Sequence, residues 1–137
     1  MLRVVVDTSV LVSAIRSEKG AAAELIRLAI LQRFAVLIDY KLAYEYREIA
    51  LRPNHLQASG KTVEEAEAII DALEAVAEPV LVEMRHRPLS RDADDDMVLD
   101  VAINGFADVL VTNNVRDFAH AAGSFGGFCR REICCWR

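Results

Sequence analysis

Residues 1–14 read MLRVVVDTSVLVSA, and the fold turns on how this stretch is read. Val4, Val5 and Val6 form an unbroken β-branched run, the pattern of a strand buried on both faces of a parallel sheet. Asp7 stands where that strand stops. Thr8 and Ser9 follow, either able to cap a helix, and then Val10, Leu11, Ala14 and Ile15 at helical spacing. Open α/β sheets bind ligands in the crevice at the carboxyl ends of their strands. A carboxylate at this point is therefore placed to act on a ligand as readily as to cap a helix.

Working outward, the pattern repeats. Residues 17–20 interrupt the first helix, and 21–33 resume one with Ala22, Leu25, Ile26, Ala29 and Ile30 on one face. Residues 35–38 are a short apolar run, expected as the second strand. Asp39 caps a helix over 42–51 that Pro53 ends. Gly60 is a break, and Thr62 with Glu65 forms a capping box opening a helix over 63–77. A third strand is expected at 79–82, a polar loop at 85–95, a helix at 96–105 and a fourth strand at 108–112. A loop at 113–117 and a short helix at 118–122 follow. Strands alternating with helices imply βαβ units, so the fold class is α/β: a three-layer α/β/α sandwich around a mainly parallel sheet of four to five strands.

The bulk numbers bound what the chain does. Its 137 residues suit a single domain over 1–137, with 128–137 as an atypical tail. Hydrophobic residues make up 53% and mean hydropathy is +0.19, an apolar excess that points to a homodimer face. No apolar run approaches the ~18 residues of a membrane span, and the N-terminus carries no secretory pattern, so no membrane association and a cytoplasmic location are expected. A net charge of −5 argues against general nucleic-acid affinity, which comes from Lys and Arg on phosphates. Acids gathered around a bound cation would invert that field locally, and Arg85, His86, Arg87 and Arg91 directly precede the acidic run Asp92 to Asp96. Cys129, Cys134 and Cys135 match no zinc spacing and read as reduced thiols.

The chemistry rests on four acids. Asp7, Asp96 and Asp117 lie near strand carboxyl ends, and Glu45 lies on the helix after the second strand, sharing a face with Leu42 and Ile49. Each has an ordinary reading alone: a helix cap, a solvated helix acid, a capping turn, a loop acid; Glu48 can pair with Arg52 one turn on. A calcium loop starting at Asp92 fails, since Met97 stands where glycine is needed and Ile103 where the bidentate Glu is needed. Phosphatase chemistry with Asp7 as nucleophile wants a second acid two residues on, and Ser9 occupies that place. Converging carboxylates repel one another, which a hard divalent cation such as Mg²⁺ or Mn²⁺ relieves through oxygen ligands.

The stretches VVVDTSVLVSA (4–14), LAYEYREIALRP (42–53) and SRDADDDMVLDVAINGFADVLVTNNVRDF (90–118), in this order and spacing, resemble the PIN domain. Within it they are similar to the toxin components of toxin–antitoxin pairs, the VapC-like ribonucleases. The resemblance covers about residues 1–120. It implies a Mg²⁺- or Mn²⁺-dependent endoribonuclease restrained by a cognate antitoxin, with Asp7, Glu45, Asp96 and Asp117 as the catalytic, metal-holding acids. Thr8 and Ser9 belong to its D-T-S motif, Thr112 and Asn114 would supply polar contacts, and Asp95 and Asp100 lie close enough to Asp96 to assist it. Arg85, Arg87, Arg91 and Arg116 are the candidates for RNA phosphate contacts, whereas His55, His86 and His120 read as surface residues. A non-catalytic PIN-fold module acting through a protein or RNA partner is the alternative. The tail departs from the resemblance: residues 128–136 are rich in Arg and Cys and do not alternate cleanly, which leaves a frameshift and a real strand at 128–133 as alternatives.

Overall fold

A computed structural model describes residues 1–83, 93–113 and 132–135, with residues 93–96 and 132–135 as backbone only. In chain order the elements are β1 (Arg3–Val6), α1 (Thr8–Arg16), α2 (Ala21–Ile30), β2 (Ala35–Ile38), α3 (Tyr40–Ala50), α4 (Pro53–Ser59), α5 (Val63–Val76), β3 (Glu78–Pro79), α6 (Ala93–Asn104), β4 (Val109–Thr112) and β5 (Glu132–Cys135). The strands form one sheet in the order β3-β2-β1-β4-β5, every neighbouring pair parallel. The expected α/β/α sandwich with a parallel sheet is therefore what folds.

Right-handed crossovers assign the layers. From β1 through β2 to β3 the chain moves one way across the sheet, carrying α1 to α5 on one face, where they pack on one another. From β3 to β4 it moves back the other way, which puts α6 on the opposite face against β1 and β2. Burial follows: Val4, Val5 and Val6 are buried, as are Val36, Leu37 and Ile38. The two-sided apolar runs read from the sequence are the centre of the core.

Several local expectations shift. The N-cap of α1 is Asp7 itself, not Thr8 or Ser9. Pro53 does not merely end α3; it is the first residue of a further helix, α4. The third strand lies at Glu78–Pro79 rather than 79–82, because its register against Leu37 and Ile38 places the pairing there. Helix α6 begins at Ala93, so Asp96 lies inside its first turn rather than opening it. The Glu48–Arg52 pair does not form among the described residues. The tail strand exists but is displaced to Glu132–Cys135, where it pairs residue for residue with β4. The expected helix at 118–122 lies outside the described residues. No helix among the described residues is long and apolar enough to cross a membrane.

The capping box at α5 is complete. The Thr62 hydroxyl accepts from Glu65 N, and the Glu65 carboxylate accepts from Thr62 N, both at 3.2 Å. Thr62→Ala removes the cap and is expected to cost about 1 kcal/mol, readable as a thermal midpoint lowered by about 3–5 °C. An unchanged midpoint would show that α5 is held by packing alone.

At the amino edge of the sheet, Arg3 acts as a clasp. Its guanidinium donates twice to the Gly105 carbonyl (3.0 and 2.8 Å) and once to Glu78 Oε2 (2.6 Å). Its backbone N–H donates to Asp108 Oδ2 at 2.9 Å. Gly105 approaches its surroundings closely: a Cβ there would lie 2.8 Å from Leu37 Cδ1 and 2.9 Å from both the Val101 carbonyl oxygen and Val80 Cγ2.

Candidate active site

The strand order reverses direction between β1 and β4, so the crevice at their carboxyl ends is the topological switch point of the sheet. Asp7 follows β1 there and is only 5% exposed. Its side chain makes no capping bond to α1. Instead Oδ2 accepts from the Ser9 hydroxyl and from the Thr112 hydroxyl at the end of β4, each at 2.7 Å. Two donors on one oxygen set the carboxylate's rotation. Asn113 braces the arrangement, donating to the Ser9 carbonyl at 3.2 Å and to the Ser13 hydroxyl at 2.9 Å.

Glu45 comes from α3 and is also buried. The Thr8 hydroxyl, itself buried, donates to Glu45 Oε2 at 2.8 Å. The next residue, Tyr46, explains how this helix is fixed against β1: its hydroxyl donates to the Val6 carbonyl at 2.5 Å. Val6–Asp7 and Glu45–Tyr46 are thus locked pair against pair. Burial, followed by the negative charges of Asp7, Glu45, Asp39 and Glu74, holds the Tyr46 hydroxyl well above its usual pKa, so it remains a donor. All four acids lie close enough to the Tyr46 hydroxyl for their charges to act on it.

Asp100 on α6 is 1% exposed, and α6 packs against both β1 and α3, the elements that carry Asp7 and Glu45. The structure thus brings together Asp7, Thr8, Ser9, Glu45 and Thr112. Asp95 and Asp96 lie in the first turn of α6 by backbone, while Asp117, Asn114, Arg85, Arg87, Arg91 and Arg116 lie outside the described residues, as do His86 and His120. His55 is half-buried rather than a surface residue, and its Nδ1 has no partner among the described residues. Desolvation, then the charges of Arg16 and Arg52, lowers its pKa. Sequence reasoning missed Tyr46, Ser13 and Asn113. Tyr46 carried a signal, being adjacent to Glu45, but its partner is a backbone atom forty residues away in sequence.

The donor set is oxygen only, and two buried carboxylates with fixed rotation suit a hard divalent cation, which takes one or two direct carboxylates and keeps several waters. Among the described residues no three His, Cys, Asp or Glu side chains form a closed metal cluster.

Farther along the same face, Arg47 ties α3 to α5 through Glu74 and Asp71, the latter at 2.6 Å. A groove of about 210 Å³ between α1, α2 and α5 is lined by Ala14, Ala23, Ile26, Ile30 and Ile69, with Glu18, Arg27 and Lys61 charged at its margins.

Comparison with known proteins gives three findings. A family model described as PIN domain matches residues 3–116. A solved structure, of VapBC2 from Rickettsia felis bound to a DNA fragment from their promoter, is similar over 99% of this chain and 100% of that one, with 16% identity and a TM-score of 0.61. No curated protein matches.

Proposed function

The chain belongs to the PIN-domain family, and from that premise we propose that it is a divalent-metal-dependent endoribonuclease, the toxin of a toxin–antitoxin pair. The observation that carries this reading is the buried Asp7 carboxylate at the switch point, oriented by Ser9 and Thr112 beside Glu45. Asp7 and Glu45 would hold the cation together with Asp96 and Asp117, with Mg²⁺ or Mn²⁺ as the ion. A bound divalent cation supplies a water of lowered pKa and offsets charge at the scissile phosphate. The chain's own residues do the rest. Thr8 fixes Glu45, Ser9 and Thr112 fix Asp7, and Tyr46 holds the two carboxylate-bearing segments at constant separation. Asp95, Asp100 and Asn114 would assist these acids. No His or Ser nucleophile is required; the Ser9 hydroxyl serves to orient Asp7. Arg85, Arg87, Arg91 and Arg116 are the proposed phosphate contacts on a single-stranded RNA, whose splayed bases a groove can read.

The antitoxin is proposed by likeness to the VapBC2 complex and by the apolar groove between α1, α2 and α5, which suits an apolar peptide segment. A soluble homodimer in the cytoplasm completes the reading.

Chelation tests it. Cleavage of a mixed-sequence single-stranded RNA should vanish in EDTA and return on adding Mg²⁺ or Mn²⁺ in excess. RNA binding without cleavage at millimolar metal would instead identify a non-catalytic binding module.

A further inference from the structure

A cavity of about 230 Å³ opens at the carboxyl ends of β2 and β3, and none of the acids assigned above lines it. Its walls are Ile38, Ala43, Ala77 and Pro79, with the Tyr40 side chain, 76% exposed, at its margin. Asp39 forms part of the lining and is only 6% exposed. Its Oδ1 accepts from Leu42 N at 2.8 Å, capping α3. Its Oδ2 accepts no hydrogen bond among the described residues. The second lining carboxylate, Glu74, is engaged on both oxygens by Arg47. The cavity therefore offers apolar walls, one aromatic ring and one open acceptor.

We propose that this cavity is a nucleobase subsite that receives a base bearing an exocyclic amino group, the nucleotide next to the bond that is cut. The inference rests on the ribonuclease reading of the neighbouring acids. Its volume is below the ~300–1,000 Å³ of clefts for drug-sized ligands and suits one base. Single-stranded RNA is held by stacking its unpaired bases on aromatic side chains. Two carboxylates in the wall exclude a phosphate, and the open Asp39 oxygen matches an amino donor, as carboxylates match cytosine N4. Uracil has no amino group and flanks its one ring N–H with two carbonyl oxygens, which a carboxylate repels.

Placement supports the same assignment. The β1–β2 register pairs Arg3 with Ala35 and Val4 with Val36, which carried forward sets Asp7 beside Asp39. Each occupies the N-cap position of the helix after its strand. Neighbouring strands lie about 4.8 Å apart, so the cavity begins within one nucleotide's reach of Asp7. Tyr44, also exposed, lies one turn beyond Tyr40 on the same face of α3, in line for the following base.

The test measures binding by fluorescence anisotropy of labelled hexamers of cytidine, adenosine and uridine, with Ca²⁺ in place of Mg²⁺. The parent protein should bind the cytidine and adenosine hexamers about tenfold tighter than the uridine hexamer. Tyr40→Ala should weaken the first two by about tenfold through lost stacking. Asp39→Asn is the decisive variant. Asn caps a helix as well as Asp does, so α3 remains formed, but the group facing the cavity becomes an amide donor and the preference should invert toward uridine. No binding, equal affinities in the parent, or an unchanged order in Asp39→Asn would overturn the subsite. Parallel cleavage assays in Mg²⁺ separate the two claims. Cleavage with no base preference fails the subsite alone, and base-selective binding with no cleavage fails the ribonuclease reading while leaving the subsite standing.

Discussion

Asp7→Asn is expected to reduce metal-dependent RNA cleavage by more than about 100-fold, the upper range for residues that merely support a metal ligand. The folded protein should be left at or above its original thermal midpoint. The physical argument separates charge from shape. Asn retains the carbonyl oxygen that the Ser9 and Thr112 hydroxyls address, and it suits the N-cap position of α1 as well as Asp does. What disappears is a buried negative charge close to the buried carboxylate of Glu45, a repulsion that a cation-free protein has to bear. A site built for a cation is destabilising when charged and empty, so neutralising one member relieves strain as it removes activity. Cleavage kinetics and a melting curve in EDTA on the same preparation check both halves. Retained cleavage would sink the assignment of Asp7, and a loss of cleavage that merely followed unfolding would leave it without support.

Gly105→Ala should destabilise the fold by about 2–3 kcal/mol, the range for overpacking a filled interior, and lower the thermal midpoint by on the order of 10 °C. The added methyl would press on Leu37, on Val80 and on the Val101 carbonyl, all closer than 3.0 Å. Leu37 is fully buried in β2 and the Val101 oxygen belongs to α6, so neither retreats cheaply. The same residue supplies the carbonyl that the Arg3 guanidinium grips, so any backbone shift also loosens that clasp. Chemical denaturation with an unchanged slope and a lowered midpoint is the expected result. A midpoint equal to the parent's would mean that the turn after α6 yields freely.

The parts of this fold that could be read from sequence are those encoded by near neighbours. Val4 to Val6 and residues 35–38 announce buried strands by composition alone, and Thr62 with Glu65 announces the start of α5. Asp39 was legible as a cap for the same reason. Helix α4 was not, because proline serves equally as the end of one helix and the first residue of the next; the left-handed Gly60 (φ 72°) that closes α4 marks its far end. In the site, Asp7 and Glu45 stood out as carboxylates at the right distance from strand ends. Their coupling did not, because it runs through Thr112 to Asp7, Thr8 to Glu45 and Tyr46 to the Val6 carbonyl, contacts that only the folded sheet creates. The open oxygen of Asp39 is hidden in the same way: its capping role is local, while the cavity it lines is assembled from β2, α3, α5 and β3.

The hydrogen bond from Thr112 to Asp7 joins residues 105 apart in the chain, and β1 sits between β2 and β4 in the sheet. Loops of that length close slowly, and contacts of such long range are gained late on the folding path. The oriented carboxylate is therefore a product of complete folding rather than of any local segment. After dilution from denaturant, helical signal should return ahead of any competence that depends on Asp7, and a half-folded chain is chemically silent.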